Sequence, residues 1–253
     1  MQFRSKRGAK ALLGALFVFG ALLLTGCENG SVYGYESDLS SVNETSWHLW
    51  RGAWLAAGAV GIFTAALILW PVLRHRRKEG DPQYPKQTQY NVPAEVAYTL
   101  IPFVIVAVLF YFTARDQAVI TAKEPSQVQH TIDVTGFQWS WQFGHQDGGK
   151  DAVVTGTPAQ PPTLVLPQGE RVAFNIYSPD VVHGFWIPAF MIQMQNLPGE
   201  VNKLQFTANK LGEFPGRCNI LCGRNHSQML FTVKVVTPEQ YQKYLDSLKV
   251  SAA

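Results

Sequence analysis

The sequence predicts a hairpin of two transmembrane helices followed by an all-β domain outside the membrane. Two long stretches without a charged residue lie in the first half of the chain, and a loop rich in Arg and Lys separates them. After residue 115 the pattern changes to short apolar and polar runs punctuated by Gly and Pro, which is typical of strands. Of the 253 residues, 47% are hydrophobic and only 15% are charged, which favours a membrane protein. The net charge of +3 is too small and dispersed to indicate nucleic-acid binding.

The N-terminal residues 1–26 have the pattern of a secretion signal, with a basic start and an apolar run over 11–24. The string Leu24-Thr25-Gly26-Cys27 resembles a bacterial lipobox, which implies cleavage before Cys27 and acylation of its thiol. The alternative is a signal-anchor helix with an incidental cysteine. We expect a lipoprotein signal peptide over 1–26 and an extracytoplasmic linker over 27–48.

Two stretches are long enough to span a membrane as helices. The first has 22 uncharged residues between Arg51 and Arg74, and a helix of that length covers about 33 Å. The second has 19 uncharged residues between Glu95 and Arg115, or roughly 28 Å. These stretches predict a transmembrane hairpin over 49–115.

The loop over 74–90 sets the orientation of this hairpin. It contains five Arg or Lys residues, so the positive-inside rule places it in the cytoplasm. Both ends of the hairpin then lie outside, in agreement with an exported N-terminus. Residues 116–253 are therefore expected on the extracytoplasmic face of the cell membrane.

The outer domain contains many short strand candidates, which predicts a β-sandwich or barrel. The candidates are 128–134, 137–143, 163–166, 171–177, 203–207 and 229–236. A short helix is expected at the end of the chain, because Thr237 and Gln240 form a capping-box pattern with Pro238 at the first helical position.

The residues that carry chemistry lie in the string Cys218-x-x-x-Cys222-x-x-x-His226-x-x-Met229, with His183 upstream. Thiolate, imidazole and thioether ligands together are typical of copper sites that transfer electrons. A mononuclear site needs one cysteine, so the second cysteine suggests two thiolates that bridge two metal ions. A disulfide or a zinc site is an alternative, but neither explains the methionine.

Two further features have two interpretations each. If 137–143 is one strand, Trp139 and Trp141 lie on the same face, either as core residues or as an exposed electron acceptor. Glu95, at the cytoplasmic start of the second span, either extends to the membrane interface or takes up protons for a partner. From the residues alone, the first interpretation of Glu95 is favoured.

These residues resemble the cytochrome c oxidase subunit II family. The family's copper motif runs Cys-x-x-x-Cys-x-x-x-His-x-x-Met with Val-x-His upstream, and this chain matches it at every position. The resemblance implies a cupredoxin-like Greek-key barrel after the hairpin. It also implies a binuclear copper A centre in which Cys218 and Cys222 bridge two copper ions, His183 and His226 are terminal ligands, and Met229 is a weak axial ligand.

The same resemblance assigns the remaining site residues. The backbone carbonyl of Ile220 would be the last weak copper ligand. The family usually has glutamate there, whose side chain helps bind magnesium or manganese, so the isoleucine puts that second metal site in doubt. Trp139 matches the family's electron-accepting tryptophan, although Ser140 replaces a common tyrosine. Glu95, seven residues before Pro102, matches the acid at the mouth of a proton channel.

The resemblance implies a function and a set of partners. The chain would take electrons from a cytochrome c that is soluble, anchored or held in a supercomplex, and pass them to haem in subunit I. Oxygen would be reduced to water there, coupled to proton pumping, and subunit III would belong to the same complex. Haem groups would lie in the partner subunit only, since the sequence has no Cys-x-x-Cys-His motif.

Three alternative functions remain open on the sequence. The same copper chemistry serves the dicopper subunit of a haem-copper nitric oxide reductase. A quinol oxidase subunit II would share the architecture without copper, which the complete ligand set disfavours. A lipoprotein copper carrier would have no need for two membrane spans or for Glu95.

Overall fold

The computed structural model describes residues 34–84, 87–149 and 152–251. The predicted signal peptide over 1–26 and the predicted lipidation site Cys27 lie outside these residues. Two long helices come first, then ten strands, then a C-terminal helix. The predicted fold class, a helical hairpin followed by an all-β domain, is confirmed.

The long helices are α1 (Asn43–Arg74) and α2 (Val92–Ile120), and both are long and apolar enough to cross a membrane. Each helix extends beyond its charge-free stretch: α1 begins eight residues before Arg51, and α2 begins three residues before Glu95 and continues five beyond Arg115. The side chain of Asn91 caps α2 by accepting a hydrogen bond from the backbone N–H of Ala94 at 3.3 Å.

The β-domain consists of two five-stranded sheets. The first has the strand order β3 (Val153–Thr155), β2 (Ser140–His145), β1 (His130–Phe137), β5 (Arg171–Tyr177) and β8 (Asn202–Thr207). The second has the order β4 (Thr163–Pro167), β10 (Leu230–Val236), β9 (Gly212–Cys218), β6 (His183–Ile187) and β7 (Ile192–Asn196). Each sheet contains one parallel pair, β1 with β5 and β4 with β10, and its other pairs are antiparallel.

Aromatic side chains from both sheets form the core between them. Phe231 of β10 is central, with ring centroids 5.2 Å from Trp141, 5.5 Å from Phe143 and 5.1 Å from Phe185. These four side chains are buried. The inward-facing residues of both sheets therefore supply a continuous apolar core, as the alternating pattern predicts.

The predicted strand over 137–143 is wrong at its start, although 140–143 lie in β2. Gln138 and Trp139 form a turn between β1 and β2, and Phe137 pairs with Ser140 across the hairpin. The sequence does not reveal this turn, because aromatic residues recur at every second position from Phe137 to Phe143 and so give the pattern of one continuous strand. Trp139 therefore does not share a strand face with Trp141, which is buried while Trp139 is half-buried.

Other strands have no counterpart among the candidates. They are β3, β6, β7 and β9. These strands are short or contain Gly, Pro and Gln, so their apolar alternation is weak. The terminal helix α3 (Pro238–Ser251) is confirmed with its capping box, in which Thr237 and Gln240 exchange hydrogen bonds of 3.2 and 3.3 Å.

The segment before α1 packs against the β-domain. Ser41 and Thr207 exchange two hydrogen bonds, of 2.9 and 3.0 Å. The side chain of Asn43, the first residue of α1, accepts from the N–H of Leu39 at 3.0 Å and donates to the carbonyl of Ala189 at 3.2 Å. These contacts attach the start of the hairpin to the β-domain.

Candidate metal centre

Antiparallel pairing of three strands creates the site. His183 is the first residue of β6, and Cys218 is the last residue of β9. Because Phe185 pairs with Cys218, these two strand ends lie side by side. The chain then forms a loop over 219–229 and returns as β10, which pairs with β9. The register of β6, β9 and β10 therefore gathers residues that are far apart in sequence.

All predicted copper ligands of this loop and His183 lie in one cluster. Ligand atoms of His183, Cys218 and Cys222 all lie within 4.8 Å of one another. The Sγ atom of Cys222 lies 3.8 Å from the Sδ atom of Met229 and 3.5 Å from the Nδ1 atom of His226. The structure thus brings together the side chains that the sequence predicted as ligands.

The remaining predicted ligand, the carbonyl oxygen of Ile220, lies 3.2 Å from the Sγ atom of Cys218. The two sulfur atoms of Cys218 and Cys222 are 3.8 Å apart, and both thiols are free. A disulfide is therefore absent between these two described cysteines. Four of the donor side chains are buried and His226 is half-buried, so one edge of the cluster reaches the surface.

Asp180 orients His183. Its carboxylate contacts the Nε2 atom of His183 at 2.9 Å and accepts hydrogen bonds from the N–H groups of Gln138 and Val181 at 2.7 and 2.6 Å. Burial opposes ionisation of Asp180, but these hydrogen bonds outweigh it and lower the pKa of the carboxyl group. The Nδ1 atom of His183 is buried and makes no hydrogen bond with any described residue, which leaves it available as a ligand.

The two thiols have opposite electrostatic environments. Burial favours the neutral form of Cys218, but contacts with His183 and with the N–H of Gly184 outweigh it and lower the pKa of this thiol. Burial and the neighbouring charge of Cys218 raise the pKa of Cys222. Without a metal, one thiolate is therefore stable while two are not, because the negative charges would lie 3.8 Å apart.

This arrangement fits copper. Two thiolates, two imidazoles, a thioether and a carbonyl form a set of soft and borderline donors, which suits copper better than hard cations. A bound cation would use the unpaired Nδ1 of His183 and would offset the unfavourable charge of a second thiolate. A zinc site would use the cysteines and histidines but would have no use for the buried Met229.

Trp139 is attached directly to the cluster. Its Nε1 atom donates a hydrogen bond of 3.2 Å to the carbonyl oxygen of Cys222, and the side-chain amide of Gln138 donates to the same oxygen at 2.9 Å. The sequence analysis did not predict that Gln138 and Asp180 contact the site. Two local features could have indicated them: Gln138 directly precedes Trp139, and Asp180 lies three residues before His183.

Glu95 lies apart from this cluster. It belongs to the first turn of α2, and its Oε1 atom accepts a hydrogen bond of 3.0 Å from the N–H of Asn91. The rest of α2, about 38 Å of helix, separates it from the strands. Glu95 is therefore not part of the metal site.

Two apolar helices of membrane-spanning length and a β-domain with a cysteine, histidine and methionine cluster define a membrane protein with a copper-type site. The family model described as cytochrome C oxidase subunit II, periplasmic domain, matches residues 159–236. The "Probable cytochrome c oxidase subunit 2" of Streptomyces coelicolor is 40% identical over 79% of this chain and 74% of the relative. The chain belongs to the cytochrome c oxidase subunit II family.

A second relative agrees with this assignment. "Cytochrome c oxidase subunit 2" of Mycobacterium tuberculosis is 34% identical over 93% of this chain and 79% of that protein. The solved periplasmic domain of subunit II of cytochrome oxidase (CoxB) of Bradyrhizobium japonicum aligns at a TM-score of 0.46 with 29% identity, covering 50% of this chain and 97% of that chain. The prediction of an oxidase subunit is confirmed, and the nitric oxide reductase alternative is not favoured. Family membership implies a copper centre and association with other oxidase subunits in a membrane.

Proposed function

We propose that this chain relays single electrons from cytochrome c to haem in subunit I, through a binuclear copper A centre in its outer domain. Oxygen is reduced to water in subunit I, coupled to proton pumping. The observation that carries the proposal is the convergence of six donor groups from 183 and 218–229 in one largely buried cluster. Family membership supports the same conclusion.

The ligand side chains would together hold two copper ions. Cys218 and Cys222 would hold the copper through their thiolates and His183 and His226 through their imidazoles, and Met229 and the carbonyl of Ile220 would complete the set. The bound pair supplies a one-electron carrier. The ends of β6 and β9 and the loop between β9 and β10 hold these groups in place, which would keep the movement of ligands small during electron transfer. Ile220 offers no carboxylate, so a magnesium or manganese ion near this position would lack that ligand.

Electron paramagnetic resonance of the purified, copper-loaded full-length chain tests the proposal. We expect a seven-line mixed-valence signal and two copper ions per chain. Cys222→Ser should abolish this signal, while Met194→Leu, a control at a methionine outside the ligand set, should preserve it. One copper with a four-line signal, zinc, or no metal in the wild-type chain would instead support a copper carrier or a structural quinol oxidase subunit.

We propose that Trp139 accepts the electron from cytochrome c. Its hydrogen bond to the carbonyl of Cys222 supplies a short connection from a half-buried ring to a bridging ligand. In the assembled oxidase, Trp139→Phe should slow reduction by cytochrome c by about tenfold, or ~1.4 kcal/mol in the barrier, with the copper signal unchanged. Trp186→Phe is the matched control. Equal rates for both variants would assign electron acceptance elsewhere.

We propose that Glu95 takes up protons at the cytoplasmic mouth of a channel in subunit I. Its place in the first turn of α2, at the end that adjoins the basic loop, supports this role. Glu95→Gln should lower steady-state turnover and leave the rate of copper reduction unchanged. Glu79→Gln, in the exposed loop, should affect neither rate, and equal turnover of the two variants would remove Glu95 from the proton path.

We also propose that the mature chain is a multi-pass lipoprotein with its β-domain on the extracytoplasmic face. The loop over 74–90 would then be cytoplasmic, and the acylated Cys27 would be the first residue. The mass of the mature chain tests processing, since cleavage and acylation change it in a defined way. A mass equal to that of the full 253 residues would exclude the lipid anchor.

A further inference from the structure

The residue after the ligand His183 is Gly184, and its backbone is bonded to the first ligand of the loop. Its N–H donates to the Sγ atom of Cys218 at 3.5 Å, and its carbonyl accepts from the N–H of Asn219 at 3.2 Å. The N–H and the carbonyl of Gly184 thus bind two consecutive residues, Cys218 and Asn219. The position of the Cys218 sulfur is fixed relative to His183 by these two contacts.

This close approach requires that Gly184 has no side chain. A Cβ atom there would overlap the Oδ1 atom of Asn219, and it would lie 3.0 Å from the Cγ1 atom of Ile220 and 3.1 Å from the Cγ atom of Asn219. The amide of Asn219 occupies the space that a side chain at 184 would need. Gly184 and Asn219 are therefore sterically complementary.

Asn219 also connects the loop to β7. Its Nδ2 atom donates a hydrogen bond to the Oε1 atom of Gln193, while its Oδ1 atom is buried without a partner among the described residues. The space beside Gly184 on one side and the hydrogen bond to Gln193 on the other therefore determine where this amide lies. Ile220 follows directly, and its carbonyl oxygen lies 3.2 Å from the Cys218 sulfur.

We propose that Gly184 and Asn219 form a matched pair that positions the Cys218 sulfur and the Ile220 carbonyl and so sets the reduction potential of the copper centre. The inference rests on the proposed function and names two positioning residues that do not bind the metal. A hydrogen bond to a cysteine sulfur stabilises its negative charge, which favours the reduced centre. Displacement of the loop from β6 would weaken this contact and move the weak carbonyl ligand.

Gly184→Ala in the copper-loaded full-length chain is the main test. We expect the seven-line signal to change its hyperfine spacing, and the ratio of reduced to oxidised centre at a fixed ambient potential to fall by about threefold or more. Gly144→Ala, in β2, is the matched control, because a Cβ atom there meets only ordinary contacts of 3.7 and 3.8 Å with Asp133 and Val153. This control should leave both readouts unchanged.

The double variant Gly184→Ala, Asn219→Ala tests the pairing. Removal of the Asn219 amide opens the space, so the signal and the redox ratio should return toward those of Asn219→Ala alone. The melting temperature of the copper-free chain should likewise be higher in the double variant than in Gly184→Ala alone. This readout is independent of the metal. A Gly184→Ala variant with wild-type spectrum and potential, or a double variant no better than the single one, would overturn the proposal.

Two milder variants keep the test decisive if Gly184→Ala does not fold. Asn219→Ala and Gln193→Ala add no atoms, and each removes the link between the loop and β7. Both should retain two copper ions and change the hyperfine spacing in the same direction. Wild-type spectra for both would refute the pair, whereas a wild-type chain without the seven-line signal would refute the proposed function instead.

Discussion

The helical hairpin and the β-domain use apolar side chains in opposite ways. In α1 and α2 the large apolar residues lie on the surface, with Ile62 75% and Phe103 70% exposed. In the β-domain, Trp141, Phe143 and Phe185 are fully buried between the sheets. The β-domain therefore supplies its own apolar environment. The two helices of the hairpin are long enough to span a membrane, and they need lipid or a partner subunit to supply their apolar environment.

This difference explains why the metal centre lies where it does. A set of weak and strong ligands needs a rigid frame, and the frame comes from strands whose core excludes water. The hairpin contributes a membrane anchor and Glu95, neither of which requires a packed interior. We therefore expect changes in the two regions to have different consequences for stability.

The largest expected effect is at the centre of the β-core. Phe231→Ala removes a ring that contacts three other aromatic side chains, so it should lower the free energy of unfolding of the β-domain by about 3–5 kcal/mol. Phe103→Ala, in α2, should change it by less than about 0.5 kcal/mol. Denaturant unfolding followed by tryptophan fluorescence measures both. Similar losses would show that the hairpin and the β-domain unfold as one unit.

A smaller effect concerns pH. His145 of β2 is buried, and its Nδ1 atom lies 2.9 Å from the Tyr241 hydroxyl of α3. Burial lowers the pKa of His145 to about 4, which the neighbouring Asp147 opposes and His130 reinforces. Between this value and the ordinary 6.5, the unfolded chain binds more protons than the folded chain, so stability falls as the pH decreases.

The expected loss from His145 is about 2 kcal/mol between pH 7 and pH 5. His145→Gln should flatten this part of the stability curve, which unfolding measured at several pH values would show. His48→Gln, at an exposed histidine of α1, should leave the slope unchanged. A slope that His145→Gln does not reduce would mean that another group controls stability in this range.

The smallest effect is expected at the junction of the two regions. Asn43→Ala removes the hydrogen bonds of the α1 start to Leu39 and Ala189 and should cost about 1 kcal/mol. Asn202→Ala, which loses one hydrogen bond at a half-buried position, should cost less. Thermal unfolding compares them. A larger loss for Asn202→Ala would mean that the segment before α1 adds little to the β-domain.

The sequence predicted the parts of this protein whose signals are local. Charge-free length and the basic loop indicate the two helices, since membrane burial depends on composition over consecutive residues. The capping residues of α3 lie next to one another in the chain. The ligands of 218–229 are recognisable because a copper loop needs donor types at fixed short spacings.

Only the tertiary structure decided the features that depend on strand register. It placed Trp139 in a turn, although the alternating pattern indicated a continuous strand there, and it joined the ring of Trp139 to the carbonyl of Cys222 by a hydrogen bond. It also placed Asp180 behind His183 and the amide of Asn219 in the space that Gly184 leaves open. These contacts join residues from separate strands and loops. Their positions follow from long-range pairing between strands, which residue types and local spacing do not specify.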